Sequence, residues 1–254
     1  MERTAVRRRL SSPRIAWQLA RVVEVRTETA RTTSIVLDAA DWPGHLAGQH
    51  VDVRLTADDG YQAERSYSIA SAPEHPRLAI TVERLDDGEV SPYLTETLQP
   101  EDELELRGPI GGYFVWDPPA DMGPLLLLAG GSGVVPLRAM LRHRARIGSS
   151  VPVRLLYSVR RLPDVIYHSE LTAEPDGVQV SYTLTRQQPP GWTGYARRVD
   201  QAMITELAWP EGQMPLAYVC GPTNFVEAVA ADLVALGYPP QRVKTERFGA
   251  TGTP

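Results

Sequence analysis

The segment LLLLAGGSGVVPLRAM, residues 125–140, constrains the fold more than any other stretch of the chain. Residues 125–129 are all apolar; Gly130, Gly131, Ser132 and Gly133 then end the run before a helical apolar pattern begins at Val135. A short, wholly apolar run closed by glycines reads as a parallel strand buried on both faces. Glycine permits a tight turn and lets main chain approach a phosphate. The helix that follows directs free N–H groups and its positive end at the same anion. The spacing G-G-x-G-x-x-P differs from the G-x-G-x-x-G of dinucleotide folds, so alone the segment is equally compatible with a plain strand-to-helix turn.

Around this segment the pattern is one of alternation. Apolar strands (VPVRLLYSV, GVQVSYTL, LAYVC, RVKTER) follow it, interleaved with the helical stretches VVPLRAMLRHRAR, DQAMITELA and NFVEAVAADLVALG. This grammar predicts a parallel sheet with crossover helices. Upstream the grammar differs. Six short strands (WQLARVVEVR, TSIVLDA, HVDVRLT, RSYSIA, LAITVERL, DELELRG) are parted by turns such as Asp41-Trp42-Pro43-Gly44 and Asp58-Asp59-Gly60. Val51, Val53 and Leu55 alternate with polar residues, the period of a half-buried antiparallel strand. One helix-like segment, residues 91–98, follows the turn at Asp86-Asp87-Gly88. The expected fold is a basic N-terminal arm (1–15), a six-stranded antiparallel β-barrel (16–117) and a parallel α/β nucleotide-binding domain (118–254). Residues 117–121 read as the linker.

Composition excludes several function classes. With 254 residues the chain is long enough for two ordinary domains, and its net charge of −5 disfavours a nucleic-acid binder. No apolar run approaches the roughly 18–20 residues that span a bilayer, so no membrane span is expected. Cys220 is the single cysteine, which excludes an internal disulfide framework and an all-cysteine iron–sulfur or zinc site. His45, His50, His75, His143 and His168 lack metal-ligand spacing, and no metal is expected. The N-terminus carries Arg3, Arg7, Arg8, Arg9 and Arg14 without an apolar core segment, so it is not a secretory signal, and a cytoplasmic location is expected. Lys244 is the sole lysine, so an arginine at any one position is weak evidence for a guanidinium-specific role.

Ligands of parallel sheets sit at the carboxyl ends of the strands. Those ends carry the Gly130–Gly133 turn, Ser158-Val159-Arg160-Arg161, Thr185-Arg186 and Cys220-Gly221-Pro222. Hydroxyls and guanidiniums at neighbouring strand ends suit a phosphate monoester, while solvated loop arginines are the plain alternative. Cys220 reads by default as a buried structural thiol, since no histidine base is near it in sequence. In the barrel, Arg65-Ser66-Tyr67-Ser68 offers an anion ligand, a stacking ring and hydroxyls for ring heteroatoms, or merely a strand with alternating faces. Gly88-Glu89-Val90-Ser91 is a candidate anion cradle with Ser91 as N-cap of the helical segment.

In order, these residues give R-x-Y-S, G-x-x-S-x-x-L, G-P-x-G-x-Y at 108–113, G-G-x-G-x-x-P, C-G-P and a terminal E-x-F-G. The set, covering residues 17–249, resembles the ferredoxin–NADP reductase superfamily, nearest its oxygenase-reductase and flavohaemoglobin-reductase branch. The resemblance implies a barrel that binds FAD, with Arg65 at the pyrophosphate, Tyr67 against the isoalloxazine and Ser68 near flavin N5. It implies that Gly88, Val90 and Ser91 hold the pyrophosphate from the helix N-terminus. It further implies an NAD(P)H site in which Gly130, Gly131, Ser132, Gly133 and Val134 form the pyrophosphate turn. Cys220, Gly221 and Pro222 would lie near the nicotinamide. Thr185 and Arg186, assisted by Ser158, Arg160 or Arg161, would grip a 2′-phosphate, which favours NADPH, with NADH as the alternative. Phe248 would cover the flavin until the nicotinamide displaces it, and Glu246 would tune polarity or relay protons. FMN in place of FAD stays open at this point.

The implied activity is an FAD-dependent NAD(P)H oxidoreductase that passes a hydride from NADPH to FAD and then electrons singly to a separate acceptor protein. A ferredoxin is the expected partner, with a haem or molybdenum protein as the alternative. Relatives with a plant-type iron–sulfur domain carry four further cysteines and flavohaemoglobins carry a globin. Neither is expected here. The rival readings are a flavin reductase that releases reduced free flavin and an electron-transfer subunit of the pyrimidine-synthesis kind, which the single cysteine disfavours.

Overall fold

A computed structural model describes residues 15–118, 123–173, 177–209 and 213–249. The basic arm, apart from its last residue, and most of the linker lie outside the described residues.

The first half forms six antiparallel strands: β1 (Trp17–Thr29), β2 (Thr32–Asp38), β3 (His50–Thr56), β4 (Gln62–Ser68), β5 (Leu78–Glu83) and β6 (Glu103–Ile110). Their order is β4-β3-β6-β1-β2-β5, and a bridge between Ile69 and Ile80 joins the two edges into a barrel. The expected period of two is realised. Val51 and Val53 are buried with Ile35, Leu37, Ile80, Val82, Leu104 and Leu106. The helical segment expected at 91–98 is found one residue shorter, beginning at Ser91 and passing into a π-helical turn over Tyr93–Thr97. Its Leu94, with Val90 and Leu98, packs onto the barrel core.

The second half is a five-stranded parallel sheet built from β7 (Leu125–Gly130), β8 (Val153–Val159), β9 (Val178–Leu184), β10 (Leu216–Pro222) and β11 (Val243–Phe248), in the order β11-β10-β7-β8-β9. Every residue of β7 is buried, as an apolar run in mid-sheet requires. Leu125, Leu127 and Ala129 face a core shared with α1 (Val134–Arg146) and with Ala47, Phe114 and Trp116. Leu126 and Leu128 face α3 (Gln201–Glu206) and α4 (Thr223–Ala235) through Met203, Ile204, Val226, Val229 and Leu233. One short helix, α2 (His168–Thr172), has no counterpart in the sequence reading.

After β7 the chain builds β8 and β9 on one side, then returns to build β10 and β11 on the other. The order therefore reverses between β7 and its two neighbours, which opens a crevice outside their carboxyl ends. The barrel is fastened to this sheet by polar contacts. Arg142 donates to the carbonyl of Ala70 (2.7 Å) and to Glu170 (2.8 Å), and its guanidinium lies 4.8 Å over the Tyr167 ring. The Tyr167 hydroxyl in turn donates to Thr81 of the barrel.

Candidate functional site

The turn after β7 is shaped by its neighbours. A β-carbon on Gly133 would stand 2.1 Å from the carbonyl oxygen of Cys220. β-Carbons on Gly130 and Gly221 would strike the Phe225 ring at 2.9 and 2.8 Å. These three glycines let β7, β10, α1 and α4 close on one another. Gly131 differs: its φ is +54°, and the nearest foreign atom is Oε2 of Glu83, at the end of β5, 3.9 Å from its β-carbon position. Gly131 and Ser132 are thus the accessible part of the turn. Val134 offers no free group, because its side chain is fully buried and its N–H bonds back to Gly131. No side chain caps α1, whose first amide, that of Val134, is taken by the carbonyl of Gly131 in the turn itself.

At the ends of β8 and β9 the expected polar groups come together. The N–H of Arg186 bonds the carbonyl of Arg160 at 3.0 Å, and Thr185 bonds that of Val159 through both its N–H (2.9 Å) and its hydroxyl (3.1 Å). Ser158 pairs with Gly130 in register, which sets this group beside the glycine turn. Arg160 and Arg186 are exposed. Arg161 is committed elsewhere, to Asp164 at 2.7 Å.

β10 and β11 supply the third edge. Cys220 pairs with Glu246, and Pro222 with Phe248. Phe248 packs, half-buried, against the same core that encloses Cys220. The Cys220 thiol is 1% exposed, and burial holds its pKa well above the ordinary value. A thiol so placed stays protonated and apolar, which removes any nucleophilic role. Burial likewise pushes the Glu246 carboxyl up to about 7.

In the barrel, β4 splits the R-x-Y-S set between its two faces, as alternation demands. Tyr67 is half-buried against the barrel core, and burial raises its phenol. Arg65, on the same face, pairs with Glu89 at 2.6 Å. Ser66 points the other way and donates to Asp52 at 2.6 Å, so its hydroxyl is already engaged within the barrel. Ser68 ends β4 opposite His50. Ser91 does not cap its own helical segment. Its Oγ accepts the N–H of Leu85 at 3.0 Å and braces the turn in which Gly88 leaves room for it. Val90 is fully buried, so its side chain offers nothing to a ligand. Among the described residues no cluster could hold a metal, and no helix is long and apolar enough to cross a membrane.

Comparison with known proteins decides the family. Residues 18–115 match the oxidoreductase FAD-binding domain, and residues 127–231 the oxidoreductase NAD-binding domain. The chain is 35% identical over 240 residues to ferredoxin–NADP reductase B of Sorangium cellulosum, covering 90% of this chain and 96% of that protein. The chain belongs to the ferredoxin–NADP reductase superfamily.

A superfamily member of this kind is a flavoprotein with FAD and NAD(P)H sites, and the two matched regions coincide with the barrel and the parallel sheet. The glycine betaine monooxygenase reductase subunit of Chromohalobacter salexigens is 36% identical over 240 residues, but this chain, 91% of it aligned, spans only 64% of that protein's length. Among solved structures, the FAD/NAD-binding domain of nitric oxide dioxygenase from Vibrio cholerae superposes with a TM-score of 0.81 at 26% identity, covering 91% of this chain and 98% of that one. Two residues of the site lay outside the sequence reading: Glu83, which faces Gly131, and Glu89 in its role as partner of Arg65. Both are single carboxylates whose partners lie 48 and 24 positions away, and no local pattern marks such a pair.

Proposed function

We propose that this protein is an NADPH-dependent flavoprotein reductase that serves a separate one-electron acceptor, with a flavin domain over 16–117 and a nucleotide domain over 118–254. The observation that supports it most is the meeting of the two halves. The Glu83 carboxylate at the end of β5 faces Gly131, so the barrel and the phosphate-suited turn open on one crevice. FAD bound there would accept a hydride from the nicotinamide and release its electrons one at a time.

The residues present fit such a group. Arg65 already holds an anionic oxygen at its exposed guanidinium, as it would a flavin phosphate. Ser91 keeps its own hydroxyl proton to donate while it accepts from Leu85. Tyr67 offers an uncharged ring, and Ser68 a hydroxyl at the strand end. On the nucleotide side, the amides around Gly131 and Ser132 take the pyrophosphate, and Arg160, Thr185 and Arg186 take a 2′-phosphate. Phe248 shields apolar surface from water, with Cys220 beneath it as an apolar filler. Glu246 retains a proton near neutral pH at the edge of this region, where it can buffer charge.

Ferredoxin is the acceptor class named for the Sorangium relative, and an oxygenase component is the class implied by the Chromohalobacter subunit. We place this chain's acceptor among such proteins. The second reading, release of reduced free flavin, draws support from Glu89, which occupies the Arg65 guanidinium. Purified protein assayed with NADPH and cytochrome c, with no flavin added, separates the two. Turnover with retained FAD supports the reductase, whereas activity that requires added flavin and scales with it supports the flavin-releasing enzyme.

A further inference from the structure

Glu89 is the group at this site whose placement the proposed chemistry does not call for. It stands one residue past Gly88, in the loop that leads into the helical segment, and both of its oxygens are engaged. Oε2 receives Nη2 of Arg65 at 2.6 Å, and Oε1 receives the hydroxyl of Tyr61 at 2.7 Å. Nη1 of Arg65 is turned to the carbonyl of Glu64 at 2.7 Å. Tyr61 is held in turn by its N–H, which donates to Asp59 at 2.9 Å. A guanidinium presents a limited set of in-plane donors, and here both terminal nitrogens already have protein partners.

We infer that Glu89 is an internal rival of the flavin phosphate for Arg65, held in place by Tyr61, and that it sets how tightly the protein retains phosphate-bearing flavin. The inference rests on the flavin site proposed above. An incoming phosphate must draw Nη2 away from Glu89 or share it, and in either case it approaches a carboxylate whose negative charge repels it. The pair is solvent-exposed on both sides (51% and 48%), so the contact opens at little cost. It acts as a brake on affinity, not as a block. A preorganising role for Glu89, in which it aims Arg65 at the phosphate, predicts the opposite sign.

The test is titration of flavin-free protein with FAD, FMN and riboflavin, followed by quenching of flavin fluorescence. Glu89→Gln keeps the side-chain shape and removes the charge. It is expected to tighten FAD and FMN by about two- to fivefold, the range of an exposed ion pair, and to leave riboflavin, which has no phosphate, unchanged. Tyr61→Phe is expected to shift FAD in the same direction by less. In an Arg65→Ala background the effect of Glu89→Gln is expected to vanish, because the rivalry is for that guanidinium. Unchanged or weaker FAD binding by Glu89→Gln, or equal tightening of riboflavin, overturns the inference while leaving the flavin site standing. Failure of the parent protein to bind any of the three flavins overturns the site and the inference together.

Discussion

The carbonyl oxygen of Cys220 lies 2.1 Å from the point that a β-carbon on Gly133 would occupy. The glycine is therefore demanded by the neighbouring strand before any ligand is considered. Gly133→Ala is expected to destabilise the protein by about 2 kcal/mol or more, as overpacking against main chain does. Gly131→Ala meets only an ordinary contact, Oε2 of Glu83 at 3.9 Å, and loses about 1 kcal/mol through its left-handed backbone alone. Urea unfolding of the two variants checks this, and equal stabilities would contradict it.

The pairing of Arg160 with Arg186 through main chain gives a specificity prediction. Arg186→Ala should raise KM for NADPH by about 10- to 100-fold, with kcat and the KM for NADH nearly unchanged, since the proposed charge-assisted phosphate grip would be lost. Arg161→Ala should have a much smaller effect, because Asp164 already holds that guanidinium. Steady-state NADPH oxidation with ferricyanide as acceptor reads both.

Much of this was legible in the sequence, and the exceptions share a cause. β7, α1 and the barrel strands follow from hydrophobic periodicity, because each buries a face whose period its backbone fixes. The Arg160, Thr185 and Arg186 group was legible because strand ends of a parallel sheet converge. What escaped depends on distant or very local geometry. α2 is five residues long and starts from Tyr167 in a left-handed conformation that no residue pattern announces. Ser91 has the composition of an N-cap, yet the nearby Leu85 N–H takes its oxygen first. Ser66 shares a sequence motif with its neighbours, but a strand turns alternate residues apart, and its hydroxyl meets Asp52 on the other face.

Glu246 makes stability depend on pH. Its carboxyl titrates near 7 when folded and near 4.5 as a free side chain, so below pH 4.5 it is protonated in both states and contributes no difference. Between those values only the folded state keeps the proton. Stability therefore falls as pH rises through this window and stays reduced above it, by up to about 3 kcal/mol. Glu246→Gln should match the parent near pH 4.5 and exceed it by about 1–3 kcal/mol at pH 8 in urea unfolding. A constant difference between the two across that range would contradict the assignment.

Arg142 ties the sheet to the barrel by its bond to the Ala70 carbonyl, with Glu170 and Tyr167 of its own half holding the guanidinium in place. Arg142→Ala removes charge-assisted bonds and leaves the Ala70 carbonyl short of a partner. A loss on the order of 2 kcal/mol is expected. Arg26→Ala, whose guanidinium lies more exposed and 3.7 Å from Glu170, should lose less than about 1 kcal/mol. Thermal unfolding of the two variants side by side provides the check.

The most direct test of the reductase assignment is an anaerobic titration of the purified protein with NADPH and, separately, NADH, followed through the visible flavin spectrum. The account predicts a yellow protein that retains FAD and bleaches at much lower NADPH than NADH. A protein that neither carries flavin nor takes it up, and whose spectrum NADPH leaves unchanged, would contradict it.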